Sequence, residues 1–231
     1  MSNYFIKGIK DACGVPVIGL SVSMFAFGAY LRSSEFNLLQ SFLSTFFAFA
    51  LPGQFVMAET LISGGNLINI FIAVLLTNAR LFPMTMYIIP TIKSKNKSNW
   101  RYFLICHFIA VTSWINYISK KKKIKQKNRY DYFLGLSGTL WFSSVVFTGV
   151  GYTFSSLVSY KFLLGLVFFN PMYFLLMSIR NIINLRLLTI FCLSAFMAPM
   201  MYLYFLDWGI ISAGLISGTL GYLFFRNNKY E

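Results

Sequence analysis

Apolar residues run through this chain in long blocks, at roughly 12–31, 36–62, 67–90, 102–118, 132–156, 162–179, 187–206 and 208–225, and only a few residues separate each block from the next. About 20 apolar residues cross a bilayer core of about 30 Å as a helix. Lipid offers no partner to an exposed backbone amide, and the dyad alternation of a membrane barrel is absent, so every block is predicted to be helical. The expectation is an all-α polytopic membrane protein with seven or eight transmembrane helices, forming one membrane domain over residues 1–231.

Two blocks are interrupted. The second is too long for one untilted span and carries Pro52-Gly53, where proline removes an amide donor and glycine relaxes the backbone, so a broken or re-entrant helix is predicted. The block at 162–179 has a matching interruption at Asn170-Pro171. Weak self-similarity goes further. Gly14, Ser23 and Gly28 align with Gly135, Ser144 and Gly149, Pro52 and Phe55 with Pro171 and Phe174, and Ala79, Pro83 and Met84 with Ala195, Pro199 and Met200. Two weakly similar repeats with broken helices are therefore expected, the first at 12–118 and the second at 132–225, joined by a basic cytoplasmic loop at 119–131. Proline-broken segments in corresponding positions of two halves point to a transporter's midplane site.

Charge refines the topology. Only 11% of residues are charged, yet the net charge is +14, and 11 of the 20 Lys and Arg lie between Lys93 and Arg101 or between Lys120 and Arg129. Cytoplasmic loops retain Lys and Arg. Both basic stretches flank the short block 102–118, so a simple crossing there would put one of them on the wrong side. If that block dips in and returns, both are cytoplasmic, seven spans remain, and the halves become inverted repeats with the N-terminus outside. That arrangement leaves Lys7 and Lys10 outside. The competitor is an eight-span parallel repeat with both termini inside. Basic stretches beside apolar spans face lipid and water rather than nucleic acid. Cys13, Cys106 and Cys192 are scattered among apolar residues and indicate neither a disulfide framework nor a metal site. The first apolar run lacks a persuasive cleavage site and is expected to be a retained helix.

Ionisable side chains cost several kcal/mol at the bilayer centre, so Glu59, Arg80 and His107, which lie well inside apolar blocks, are functional candidates. Glu59, seven residues beyond Pro52, could take a proton or meet an ammonium group, or could be interfacial. Arg80, beside Asn78, could hold a substrate carboxylate in its planar fork, or could bind Glu59 or carbonyls freed by Pro83. His107 is a candidate proton carrier or a packing residue. Gln54, Thr112, Ser113 and Asn170 are polar groups that either line a cavity or bond helix to helix. Gly135 with Gly138 and Gly149 with Gly151 read as close-packing positions. Paired metal-spaced histidines, HExxH, Gly-x-Ser-x-Gly and phosphate loops are absent from the sequence, which leaves hydrolytic or metal chemistry little to work with. The candidate site is thus Pro52, Gly53, Gln54, Glu59, Asn78, Arg80, Thr112, Ser113, Asn170 and Pro171, with Glu59 and His107 for proton coupling. No metal or cofactor is expected.

Phe27-Gly28, Gly53-Gln54-Phe55, Ser63-Gly64-Gly65, Asn78 with Arg80, and Tyr132-Phe133-Leu134-Gly135 with Pro171 resemble the AzlC-like permease family, most clearly over 14–90. The resemblance implies the large subunit of a branched-chain amino acid exporter in a bacterial inner membrane. It also implies drive by the proton motive force, a small AzlD-like membrane partner, an amino acid substrate and membrane lipids around it, with no enzymatic activity. Many members carry a Thr-Asp-Glu where this chain has Thr112-Ser113-Trp114, so coupling or substrate is expected to differ. Alternatives are a non-transporting membrane scaffold or assembly subunit and a membrane enzyme acting on lipid.

Overall fold

The computed structural model describes residues 3–93, 98–157, 184–204 and 209–226, with ten separate positions between 159 and 182. Among them are eleven α-helices, one 3₁₀ turn at Ser155–Leu157 and no strand. The helices are α1 Asn3–Ala12, α2 Val15–Ser33, α3 Leu38–Phe47, α4 Leu51–Ile62, α5 Leu67–Asn78, α6 Leu81–Ile92, α7 Asn99–Cys106, α8 Val111–Lys121, α9 Gln126–Phe154, α10 Leu185–Tyr204 and α11 Gly209–Arg226. Of the described helices, α2, α9 and α10 are long and apolar enough to cross a membrane. The pair α5 and α6, bent by 51°, makes a fourth if it is one span. The basic stretch expected as a loop at 119–131 is helical for most of its length, because α8 runs to Lys121 and α9 starts at Gln126.

The chain divides into two compact units, Met1–Tyr173 and Phe174–Glu231. In the second, α10 and α11 form an antiparallel hairpin. The Arg186 guanidinium lies over the Phe225 ring, the Ser194 hydroxyl donates to Ser217 at 2.7 Å, and Gly221 packs against Ile190.

In the first unit, α9 serves as a ruler. Its 29 residues are about 43 Å long, with Gln126 at the end that adjoins the basic stretch. Helix α2 runs parallel to it. The Thr148 hydroxyl donates to Met24 Sδ at 3.8 Å, and Arg32 reaches the Tyr152 carbonyl at 3.3 Å. Gly28 makes the close approach possible, since a Cβ there would lie 2.0 Å from the Thr148 carbonyl oxygen. Helix α1 crosses the start of α9 through Gly8 and Gly135, and a Cβ on Gly135 would lie 2.2 Å from the Phe5 carbonyl oxygen. Asp11 then binds Lys120 at 2.8 Å and accepts from the Tyr132 hydroxyl at 2.8 Å. The end of α1, the end of α8 and the start of α9 therefore share one basic face.

Against the same ruler, α7 and α8 form a hairpin that leaves the basic end and returns to it. Tyr102 meets Tyr130, Phe108 meets Trp141 about 16 Å further along, and Tyr117 comes back to Phe133. Helices α3 and α4 do the same from the far end. The Tyr152 hydroxyl donates to the Phe36 carbonyl, Phe46 packs on Trp141, and α4 returns past Phe27 and Tyr30 through Phe55. Helix α5 lies antiparallel to α4 and places Asn78 on Gly53, while α6 continues to the basic end, where Thr91 meets the Tyr117 hydroxyl at 3.0 Å.

The turn between α4 and α5 explains the glycine pair. Gly65 N donates to Thr60 O and Gly64 N to Leu61 O, which is the Schellman closure, with Gly64 at φ +73°. The same closure ends α2 with Glu35 at φ +64°, a conformation costing about 1 kcal/mol without glycine.

Gly135→Val is expected to push α1 off α9 and cost several kcal/mol, since the obstruction is backbone, whereas Gly138→Ala, facing open space, leaves the melting temperature unchanged; thermal unfolding of the purified variants distinguishes them. A second expectation concerns pH. Burial works against ionisation of Asp11, but its bonds to Lys120 and Tyr132 and the charges of Lys120 and Lys7 outweigh it, so its carboxyl is held below the usual range. A depressed folded value stabilises above the unfolded value of about 3.9 and is lost as pH falls below it, so acid melting of wild type and Asp11→Asn should converge at low pH.

Candidate functional site

Three interruptions of helix meet halfway along α9. The first lies at Ala48–Ala50, just before Pro52, which occupies the first turn of α4, where its missing N–H breaks no helical bond. The second is Ala79-Arg80, where Pro83 cannot donate to the carbonyl four residues back and the path bends. The third, at His107–Ala110, contains neither proline nor glycine.

The two hairpin tips touch. His107 Nε2 lies 2.9 Å from the Phe46 carbonyl oxygen, near the end of α3. A carbonyl only accepts, so Nε2 carries the hydrogen. Trp141 Nε1 of α9 donates to the same oxygen at 3.2 Å. The imidazole edge-packs on Phe108 and Trp141, and Trp141 on Phe46, so one peptide oxygen is held by two donors within an aromatic cluster.

Behind this contact is a buried polar chain. The Gln54 amide fits its surroundings with nitrogen on the Ala48 carbonyl at 3.1 Å and oxygen accepting from Thr45 N at 3.2 Å and Thr45 Oγ1 at 2.9 Å, an orientation assigned from this network. Thr45 Oγ1 is in turn 3.0 Å from Thr148 Oγ1. All three side chains are fully buried, and together they tie α4, α3 and α9 at the break.

Gly53 and Asn78 join the second interruption to the first. A Cβ on Gly53 would lie 2.3 Å from Asn78 Nδ2, and Asn78 Oδ1 is buried without a hydrogen-bond partner. No side chain caps α4, whose preceding residue is Ala50. Arg80, two residues beyond Asn78, is exposed and makes no ion pair or hydrogen bond with any described residue. Glu59 lies nearer the far end of α9, exposed, and accepts a hydrogen bond from the Tyr30 hydroxyl. It pairs with neither Arg80 nor the hairpin tips.

Thr112 and Ser113 open α8 and are buried. Ser113 Oγ accepts from Ala110 N at 2.9 Å and lies within bonding distance of the Ala110 and Phe108 carbonyls, so this hydroxyl closes the tip of its own hairpin. Asn170 and Pro171 lie outside the described residues. Pro52, Gly53, Gln54 and Asn78 are thus brought together, Arg80 follows Asn78 without touching them, His107, Thr112 and Ser113 reach the junction from the opposite hairpin, and Glu59 stands apart. Phe46, Thr45, Trp141 and Thr148 were not expected there. Phe46 contributes only backbone, which no residue type announces, whereas the two threonines and the tryptophan carried a weak signal as polar groups inside apolar helices. Among the described residues no cluster of His, Cys, Asp or Glu could hold a metal ion.

Gln54→Leu is expected to leave the Ala48 carbonyl and Thr45 unpartnered and to cost about 1–3 kcal/mol, read as a fall in melting temperature of the purified protein.

The family model described as AzlC protein matches residues 16–158, which include α2 through α9 and both hairpins. No curated protein and no solved structure matches the chain.

Proposed function

Because this chain belongs to the AzlC protein family, associated with branched-chain amino acid transport, we propose that it is the permease subunit of a secondary transporter exporting branched-chain or related hydrophobic amino acids. In this reading it resides in a bacterial inner membrane, works with a small AzlD-like subunit and draws on the proton motive force. The observation that carries the reading is the contact of two hairpins entering from opposite ends, Phe46 O to His107 Nε2.

Hairpins that stop halfway leave helix termini of both signs at the same depth. The starts of α4 and α8 present amide hydrogens and the positive ends of their dipoles. The ends of α3 and α7 bring carbonyls to that depth, although Phe46 O is already held by His107 and Trp141. A zwitterion needs both. The carboxylate would lie at the uncapped start of α4, with the Arg80 guanidinium two residues from the Asn78 contact able to reach it as clamp or gate. The ammonium would lie against carbonyls, and the apolar side chain against the surrounding aromatic rings. His107, the titratable group at the contact itself, is the coupling candidate that geometry favours over Glu59.

Topology follows from the same hairpins. With α7–α8 re-entrant from the basic end, both basic stretches are cytoplasmic. With α3–α4 re-entrant from the other end, α2 and α9 cross in the same direction and α1 is cytoplasmic, so Lys7 and Lys10 no longer stand on the wrong side. This reading removes the crossing that the sequence assigned to 36–62.

Leucine or methionine flux into inverted membrane vesicles carrying the two-subunit complex tests the site. Arg80→Ala should lower it about tenfold, as expected for loss of one charge-assisted contact. Flux unchanged in this variant removes Arg80 from the site. His107→Gln, which keeps a donor but cannot titrate, should retain exchange yet lose its response to an imposed pH gradient. In a cysteine-free background, cysteines at Asn99 and Lys123 should label from the cytoplasmic side only; opposite-side labelling would refute the α7–α8 hairpin.

A further inference from the structure

The basic face has more charge than positive-inside orientation accounts for, and its own acids do not neutralise it. Eleven described Lys and Arg gather there, from α1, the ends of α6 and α8 and the starts of α7 and α9, against two carboxylates, Asp11 and Asp131. Asp11 is already taken by Lys120 and Tyr132. Lys7, Lys10, Lys122, Lys123, Lys125 and Lys127 are exposed. Such a concentration of like charge on one rigid surface raises its own energy unless anions gather on it.

The residues between these charges identify the anion. Ile6 is exposed beside Lys7 and Lys10 on α1, and Trp100 and Phe103 stack on each other, both exposed, on either side of Arg101. A small dissolved anion offers no apolar surface to cover such side chains. The boundary between headgroups and acyl chains takes apolar groups and cations at one depth, with Lys stems lying along the apolar surface. We infer that this face, formed by α1 and by the turn from α8 to α9, binds the phosphates of anionic phospholipids and that the folded chain depends on them. The inference does not use the transport reading.

Thermal unfolding of the purified full chain in neutral detergent, followed by tryptophan fluorescence, tests it with phosphatidylglycerol, phosphatidylcholine or inorganic phosphate added. Phosphatidylglycerol should raise the melting temperature by about 5 °C or more, as a ligand well above its dissociation constant does, with the increment shrinking in high salt. Phosphatidylcholine should not. The combined variant Lys122→Gln, Lys123→Gln, Lys125→Gln, Lys127→Gln, which leaves Asp11 and Lys120 in place, should lose most of the increment. Equal stabilisation by phosphatidylcholine, or a full increment in that variant, overturns the inference. Equal stabilisation by inorganic phosphate overturns the lipid assignment in favour of a free-ion site, and equal stabilisation by a DNA duplex overturns it in favour of nucleic acid. Should the variant fail to fold, native mass spectrometry of wild type from equimolar mixed lipid decides. Enrichment of phosphatidylglycerol among retained lipids supports the inference, and equal retention of both overturns it.

Discussion

A peptide carbonyl that loses its helical partner needs another donor, and the Phe46 carbonyl finds two, from His107 and Trp141. The rest of the first unit follows from that requirement. Helix α3 can stop at Phe47 because its last carbonyls are taken by the opposite hairpin, by α9 and by the Gln54 amide. The opposite hairpin can stop at Cys106 because Ser113 closes its tip and His107 anchors it. Neither interruption is self-sufficient, so the two hairpins, α9 and the α4 start stand or fall together.

Long apolar helices and the first interruption were legible in the sequence, because Pro52-Gly53 marks the start of α4; the bend at Ala79-Arg80, inside a block read as continuous, was not expected although Pro83 follows it. Nor was the third. Residues His107 to Ala110 contain no breaker, and what ends α7 there is a long-range contact with Phe46 that no local pattern encodes. Charge nevertheless offered the hairpin as one of two arrangements, since a return of 102–118 puts the basic stretches on both sides of it on the same face. The one discordant charge pair, Lys7 and Lys10, arose from treating 36–62 as a crossing. Once α3 and α4 are seen to enter and leave from the same end, Asp11 at Lys120 and the basic N-terminal helix agree with the other charges.

Close packing was legible only in part. Gly135 and Gly151 do seat carbonyls of α1 and α2, but Gly138 and Gly149 face open space, because a glycine string says that backbones can approach without saying which face they use. The polar residues divide the same way. Gln54 and Ser113 bond to backbone at the breaks, as helix-to-helix glue would. Arg80 and Asn78 Oδ1 have no hydrogen-bond partner among the described residues, so neither takes part in that bonding.

The run Thr112-Ser113-Trp114, which the family resemblance sets against a Thr-Asp-Glu, closes the tip of the α7–α8 hairpin. A side-chain oxygen at position 113 is needed to hold Ala110 N at the start of α8. Serine supplies it without charge. Position 114 is different, for Trp114 Nε1 is buried with no acceptor and its ring packs towards Tyr87 at 6.4 Å, filling space without satisfying a polar need. The tip of this hairpin is therefore closed by a neutral oxygen and carries no acid at positions 113 and 114. Under the proposed transport reading, the ionisable side chain at the junction is the His107 imidazole rather than a carboxylate. Protonation adds one positive charge in either case, but a carboxylate ends neutral and an imidazole ends cationic, so the two differ in the charge they present before and after uptake and not in the direction of the change.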